Sequence, residues 1–574
     1  MALFDRASLV QIPSGYKEGK LYNIKPFDQP FEFERGSAAT RVNEDGLIET
    51  FYDEATNLLL QSNQFDITWT GQSNYNLTSN QVGYDGGNDA WLIEKTSTGN
   101  SYLAQSVSVS GIYTASLYAK AGSADSLFIY AVGGYIRFNL STGEPFNGGG
   151  GYIDADMQDV GNGWYRCSVV GNTTTTYGIQ VWSSDTSYTT GTIYIQDAQL
   201  ESGYFATPYI ETTTSTVTRP NRHDTPRIDY TNGKSLLLEP QRTNLLPYSN
   251  LSSGFTTTNV TLSNNQGTSP DGTSNATKVL MASGNGTHRV YDGINSSLND
   301  DNVLSVFIKE QNDISHIGLA ADTMGTQCWF SGSDGSIINA NGLDAKTESF
   351  GNGWHRISVH YVANADDVKD NQFIYFSDIE HSSPNVPFDG TEEILLYGIQ
   401  AEKGSYATSY IPTNGQTETR LEDVCYGGGD ESTFNASEGT LYCELSALGD
   451  DITNRYIGLS DGTDDNRIIL GFKNASNTVR VFSQTGTVTQ VQIDATYNIT
   501  NVNKIALTYK SNDVKLWVNG SEAGSSTNYT TVSEFTTLNF DSGSGNSKLK
   551  ANVKALAYFP EELTDTELQE LTTI

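Results

Sequence analysis

Apolar residues occupy every second position in short stretches along this chain, and clusters of Gly, Asn, Ser and Asp separate the stretches. Tyr113, Ala115, Leu117 and Ala119 fall on one side of such a stretch. Tyr165, Cys167 and Val169 alternate in the same way, and so do Ile357, Val359 and Tyr361. Nearer the C-terminus, Ile468, Leu470 and Phe472 follow the pattern, as do Ile505, Leu507 and Tyr509. Period two is the signature of half-buried strands. Asn162-Gly163 and Asn352-Gly353 supply the positive φ that a tight hairpin demands, and Lys515-Leu516-Trp517-Val518 runs into a third such turn at Asn519-Gly520. Helical spacing appears once, over Leu563 to Leu571. There Thr564 and Glu567 form a capping box, and Leu568 and Leu571 form a stripe that must dock to persist. The predicted class is all-β: tandem antiparallel sandwiches of the jelly-roll kind, with one short C-terminal helix.

The pattern also repeats on a longer scale. Asn57-Leu58-Leu59-Leu60-Gln61-Ser62-Asn63 returns as Asn244-Leu245-Leu246-Pro247-Tyr248-Ser249-Asn250. Gly161-Asn162-Gly163-Trp164-Tyr165-Arg166 returns as Gly351-Asn352-Gly353-Trp354-His355-Arg356. Gln199-Leu200-Glu201 and Ala206-Thr207-Pro208-Tyr209-Ile210 return as Gln400-Ala401-Glu402 and Ala407-Thr408-Ser409-Tyr410-Ile411. A repeat of about 190–200 residues is a whole domain rather than a solenoid unit. The expected division is an arm at residues 1–30, a first module with a lead-in hairpin at 31–219, a duplicated module at 220–420, and a different sandwich at 421–574. Two copies of one domain suit adhesion, which gains from multivalency, better than catalysis.

Composition sharpens this picture. The formal net charge of −34 repels phosphate backbones and anionic lipid, so nucleic acid and membrane surfaces are poor partners. The charge reads first as solubility in a saline medium and second as divalent-cation binding. No apolar run approaches membrane-spanning length. The first residues lack the basic and apolar regions of a signal peptide, which implies synthesis in a cytoplasm and exit by lysis or in a particle. Of the four cysteines, none forms a CxxC pair, and Cys167 stands where the second copy has Ile357, as a small buried hydrophobe does. Cys425 and Cys443 are the one pair with a conceivable bridge.

Several segments resemble known families. Leu9 to Lys17, Phe33-Glu34-Arg35-Gly36-Ser37-Ala38-Ala39-Thr40-Arg41-Val42-Asn43, Gly46-Leu47-Ile48-Glu49 and Leu237-Leu238-Glu239-Pro240-Gln241-Arg242-Thr243-Asn244-Leu245 resemble tailed-phage fibre and virion proteins. The repeat cores, through the Asn-Gly-Trp-Tyr/His-Arg turn and the Gln-Leu/Ala-Glu segment, are similar to carbohydrate-binding-module jelly rolls. The C-terminal region, through Trp517-Val518-Asn519-Gly520 and Glu562-Leu563-Thr564-Asp565, resembles a concanavalin-like or laminin-G-like sandwich. The resemblance implies a virion fibre protein that adheres to host-surface polysaccharide. Its arm would attach to other virion proteins through Leu9, Ile12 and Tyr16, and it would form a homo-oligomer, a trimer by analogy. A head fibre or capsid-decoration protein is the alternative, and a polysaccharide depolymerase the second.

Sugar binding needs aromatic faces beside Asp, Asn and backbone groups. Trp164, Trp354 and Trp517 sit at turns and read as core. Trp182, Trp69, Trp91 and Tyr135 are therefore the ligand candidates, with Trp182 in Gln180-Val181-Trp182-Ser183-Ser184-Asp185 as a strand-end platform. Asp461, Asp464 and Asp465 concentrate oxygen ligands in one loop and are the candidates for a structural Ca²⁺, although an EF-hand's spacing and final Glu are missing. No motif demands any other cofactor. No Gly-x-Ser-x-Gly elbow or His-centred triad appears, no carboxylate pair is singled out, and the expectation is a protein without catalysis.

Overall fold

The computed structural model describes residues 3–17, 19–52, 54–183, 189–220, 222–312, 314–378 and 385–574. Among these residues every strand pairing of two named strands is antiparallel where its register is given, and the one α-helix is Asp565–Thr572. Thr564 caps that helix reciprocally with Glu567, and Leu568 and Leu571 are buried beneath it, as the spacing predicts.

The chain forms two compact units, and their composition departs from the linear division expected. One comprises residues 1–51, 222–242 and 419–574; the other comprises 52–221 and 243–418. The arm and both lead-ins thus fold with the C-terminal sandwich rather than with the repeats. The reason lies in one strand, Ala551–Phe559. One side of it pairs with Glu438–Ala447. The other side is shared: Leu236–Leu238 covers 551–553, and Leu9–Gln11 covers 556–558. Leu9, Leu21, Phe31, Phe33, Leu236 and Leu238 join Leu441, Leu507, Leu516 and Leu556 in a single core. An edge strand with open N–H and C=O groups invites aggregation, and here two distant segments cover it.

The expectation that Leu9, Ile12 and Tyr16 form an attachment surface changes accordingly. Leu9 is fully buried by its pairing. Tyr16 packs partly buried against the same core, under the Arg41 guanidinium. Ile12 remains exposed.

Charge locks the lead-ins in place. Arg227 is completely buried; its guanidinium donates to Glu239 Oε2 at 2.6 Å, to the Thr40 carbonyl at 3.0 Å and to Asp423 Oδ2. Arg35 donates to Asp423 Oδ1 at 3.3 Å, and Arg420 pairs with Glu239 at 2.8 Å. Lys550 donates to the Asp423 carbonyl at 2.9 Å and pairs with Glu422 at 3.2 Å. Burial lowers Arg35 to about 10 against the pull of Asp423.

In the other unit the repeats share one architecture. The first is built around Leu103–Ala121 and Trp164–Trp182, two strands of 19 residues that pair along nearly their whole lengths. Bulges near Val109, and Gly111 at φ 106°, bend the first of these. The second repeat breaks the same strands into Gly284–Ser296 and Asp301–Asn312, and into His355–Val362 and Asp367–Ser377, giving two sheets. Cys167 faces the core opposite Leu117, and Ile357 occupies its place in the second copy. All four cysteines are free and buried.

Removing one partner from a buried ion cluster strands the others and costs about 3–5 kcal/mol. Arg227→Ala should therefore accelerate amide exchange across Ala551–Phe559 by at least about a hundredfold, as read by exchange mass spectrometry. The same measurement should show residues 52–221 unchanged. Residues 421–574 produced alone, without the covering strands, should aggregate on size exclusion where the full chain does not.

Candidate functional site

The motifs that the two copies share build scaffold. Asn57 donates from Nδ2 to the carbonyls of Ala198 and Ile210, and its Oδ1 accepts from the Leu59 and Leu200 amides. Asn244 repeats this with Ile399, Ile411, Leu246 and Ala401. Glu201 accepts from the Thr207 amide and hydroxyl, and Glu402 from those of Thr408. Ser62 meets the Tyr209 hydroxyl at 2.6 Å, and Ser249 meets that of Tyr410 at 2.6 Å. Arg166 and Arg356 donate to the carbonyls of Thr207 and Thr408. Buried and satisfied polar groups of this kind staple the closing segment to the sandwich.

The copies diverge beside this scaffold, and there the first repeat opens a cavity of about 350 Å³. It is lined by Gln61, Asn63, Gln64, Ser79, Asn80, Asn88, Asp89, Trp91, Glu211, Thr212 and Thr213. Asn63 organises it. Its Oδ1 accepts from the Asp197 amide at 3.1 Å, its Nδ2 donates to the Asp89 carbonyl at 3.1 Å, and its own carbonyl accepts from the Trp91 indole at 3.0 Å. Asn88 and Asp89, which follow the turn at Gly83–Gly87, form one wall. Gln196 donates to Asp89 Oδ1 at 3.0 Å, and a Cβ on Gly83 would lie 2.2 Å from Gln196 Oε1, so a larger residue there would have to displace the Gln196 side chain.

Asp197 stands behind that wall at 6% exposure. Its φ is 58°, where the second copy has Gly398 at 59°. An L-residue in that conformation is strained, which makes the substitution worth noting. The Tyr84 hydroxyl donates to Asp197 Oδ2 at 3.1 Å, and the Tyr84 ring stacks on Tyr118 at 3.7 Å. Burial pushes the Asp197 carboxyl up to about 7; the Tyr84 bond opposes this, and Asp89, Asp85 and Glu211 reinforce it. Asp154 is raised to about 7 as well, chiefly by burial.

The aromatic candidates fall into two groups, and none of the tryptophans is an exposed platform. Trp69 and Trp91 both pack on Phe65 in the core, and the Trp69 indole donates to the Gln61 carbonyl at 3.1 Å. Of the pair, Trp91 also reaches the pocket wall. Trp182 and Tyr135 both stack on Phe128, at 5.1 and 5.3 Å, under the Arg137 guanidinium. Trp182 is buried there and Tyr135 half-buried. Alternation told which residues share a side of the strand, and packing on the outer side buries them too. Ser184 and Asp185 lie outside the described residues. The second copy carries a similar outer group, with Arg289 over Tyr291, Phe373 and Tyr375.

The acidic loop closes on itself. Asp461 accepts from Thr463 and from Asn466, and Asp464 pairs with Arg467 and Asn546, while Asp465 faces solvent. Among the described residues no group of three or more His, Cys, Asp or Glu is placed to hold a metal ion. The carboxylates of Asp461 and Asp464 are thus engaged by protein donors, and that of Asp465 faces solvent.

No motif marks Asp197, Asp89 or Glu211, while Asn63 closes the duplicated Asn57–Asn63 motif without any sign of a pocket. The signal was present in the repeat itself: register with Gln199 and Gln400 sets Asp197 against Gly398.

A carboxyl whose folded value exceeds its unfolded one binds its proton more tightly in the folded state. The stability it contributes is complete below about pH 4 and is lost as pH rises through about 7. Asp197→Asn keeps an acceptor for Tyr84 without the charge. It should match the parent at pH 4 and exceed it at pH 8 by about 1–3 kcal/mol in urea unfolding. Asp154 should leave a residual slope over the same window.

Comparison with known proteins adds the following. No curated protein matches the chain. Among solved structures, the chain is similar to CBM40 of the Ruminococcus gnavus IT-sialidase bound to alpha2,3 sialyllactose, at 16% identity over 24% of this chain and 84% of that one, with a TM-score of 0.22. It is also similar to domain 4 of AbnA, a GH43 extracellular arabinanase from Geobacillus stearothermophilus in complex with arabinotriose, at 14% identity over 29% and 81%, TM-score 0.22. A Trypanosoma rangeli sialidase in complex with the inhibitor DANA aligns at 10% identity over 98% of each chain, TM-score 0.21. At such TM-scores these likenesses carry no argument about ligand or activity. The family match is more local: residues 431–569, within the unit that gathers both lead-ins, match the concanavalin A-like lectin/glucanases superfamily.

Proposed function

We propose that this chain is a fibre component of a tailed-phage virion that adheres to glycan on the host surface. The observation that carries the glycan reading is the first-repeat pocket, where side-chain amides, hydroxyls and two carboxylates line one cavity together with Trp91. Amides and carboxylates satisfy sugar hydroxyls in pairs, and an indole gives the sugar ring an apolar neighbour. The lectin-type match of residues 431–569 supports the same reading.

The virion reading rests on the resemblance of the N-terminal and lead-in motifs to phage fibre proteins. In this reading the N-terminal segment attaches to other virion proteins by its exposed side, where Phe4, Ile12, Ile24 and Phe27 face solvent. The assembled protein is a homo-oligomer, with trimer the analogy, and weak contacts to polysaccharide multiply by copies per particle. A head fibre or decoration protein would seat the same segment on capsid subunits.

The depolymerase reading draws on one observation, the Asp197 carboxyl raised to about 7, as a general acid would be. Asp197 does not line the pocket, however, and its Oδ2 is engaged by Tyr84. We therefore favour binding without bond cleavage.

Two measurements test this. Labelled antibody on intact virions should decorate a tail appendage; decoration of the capsid shell would move the protein to the head-fibre class. Host polysaccharide incubated with the protein should be retained without release of reducing ends, whereas release would identify an enzyme.

A further inference from the structure

The repeats present the same surface twice, and one of the two is already occupied. In the second repeat, the region equivalent to the pocket lies against the first repeat. Ser274, in the place of Asn88, bridges to Asp159. Asn414, in the place of Thr213, donates to the Tyr204 carbonyl at 3.1 Å. A Cβ on the adjoining Gly415 would stand 3.3 Å from the Tyr204 ring and 3.4 Å from Ile153. Several lining side chains change as well: Leu251 replaces Gln64, Pro412 replaces Glu211, and Asn275 replaces Asp89. Strand register sets Trp91 opposite Ile195 and Thr277 opposite Leu396, so Thr277 replaces the indole.

The open copy has a sign. Asp89 and Glu211 line it, both exposed, and no lysine, arginine or histidine is among the described residues that do. Asp85, also exposed in the same turn, adds to the same field. A carboxylated sugar entering this site meets two like charges at short range, whereas hydroxyls find acceptors and an ammonium finds a counter-ion.

Building on the glycan reading above, we propose that the first-repeat pocket takes an uncharged or amine-bearing sugar, one per chain, and rejects sugar acids, while the second repeat is a spacer that binds none. The two copies thus divide the labour: one recognises, and the other packs against it.

Calorimetric titration of the full chain at pH 6 with β-1,4-linked trimers of glucosamine, glucose and glucuronic acid tests this. The expected result is one site per chain, with the glucosamine trimer bound about tenfold more tightly than the glucose trimer, as two partly screened ion pairs would give, and no heat from the glucuronic trimer. Asp89→Asn with Glu211→Gln, exposed isosteric changes that keep the fold, should bring the glucosamine trimer down to the level of the glucose trimer. Pro412→Glu in the second copy should change nothing. Binding of the glucuronic trimer as tight as that of glucose, altered binding on Pro412→Glu, or an unaffected double variant would overturn the assignment and leave glycan binding standing. Silence from all three trimers would sink the glycan reading with it.

Discussion

Five buried charges hold together the unit that contains both lead-ins. Arg227, between Glu239 and Asp423, draws in Arg35 and Arg420, and every member comes from a segment far in sequence from at least one of its partners. Taking such groups out of water is expensive, and attraction offsets the cost only when nearly every lone pair finds a donor. The Glu239 amide on Asp423 and the Thr40 carbonyl under Arg227 help meet that requirement. Hydrophobic burial stabilises the unit, and the ion cluster ties three separated segments, at Arg35, Arg227–Glu239 and Arg420–Asp423, to one another.

Much of the fold was legible from alternation alone. Ala115, Leu117 and Ala119 face a core, Asn162 and Asn352 adopt the positive φ of their turns, and the capped helix sits where its short pattern places it. What alternation cannot convey is which strand lies beside which. Leu9 reads as the start of a detached arm because its partner, Tyr558, lies at the far end of the chain. The lead-in motifs read as family markers; in the structure Arg35 and Glu239 are charge-cluster members. Trp69 and Trp182 read as platforms because neither belongs to a shared turn, but both outer and inner faces of these sheets are packed.

The duplication was legible, and its meaning was not. Residues common to both copies look functional because they persist, and they turn out to be the staple that any such sandwich needs. The pocket combines shared residues, Asn63 and Thr212, with ones that the copies do not share, Asp89 and Glu211. A strained aspartate in the place of a glycine, and a glutamate in the place of a proline, are differences one chain supplies against itself as an internal control.

The covering of Ala551–Phe559 by residues from the beginning of the chain has a consequence for synthesis. Leu9 emerges from the ribosome first and finds its partner only when Tyr558 has been added. At ordinary elongation rates of about 5–20 residues per second that wait is roughly half a minute to two minutes. During it, the repeats can already have folded between the waiting segments, so this unit is completed last, by the closing of a ring rather than by growth from one end.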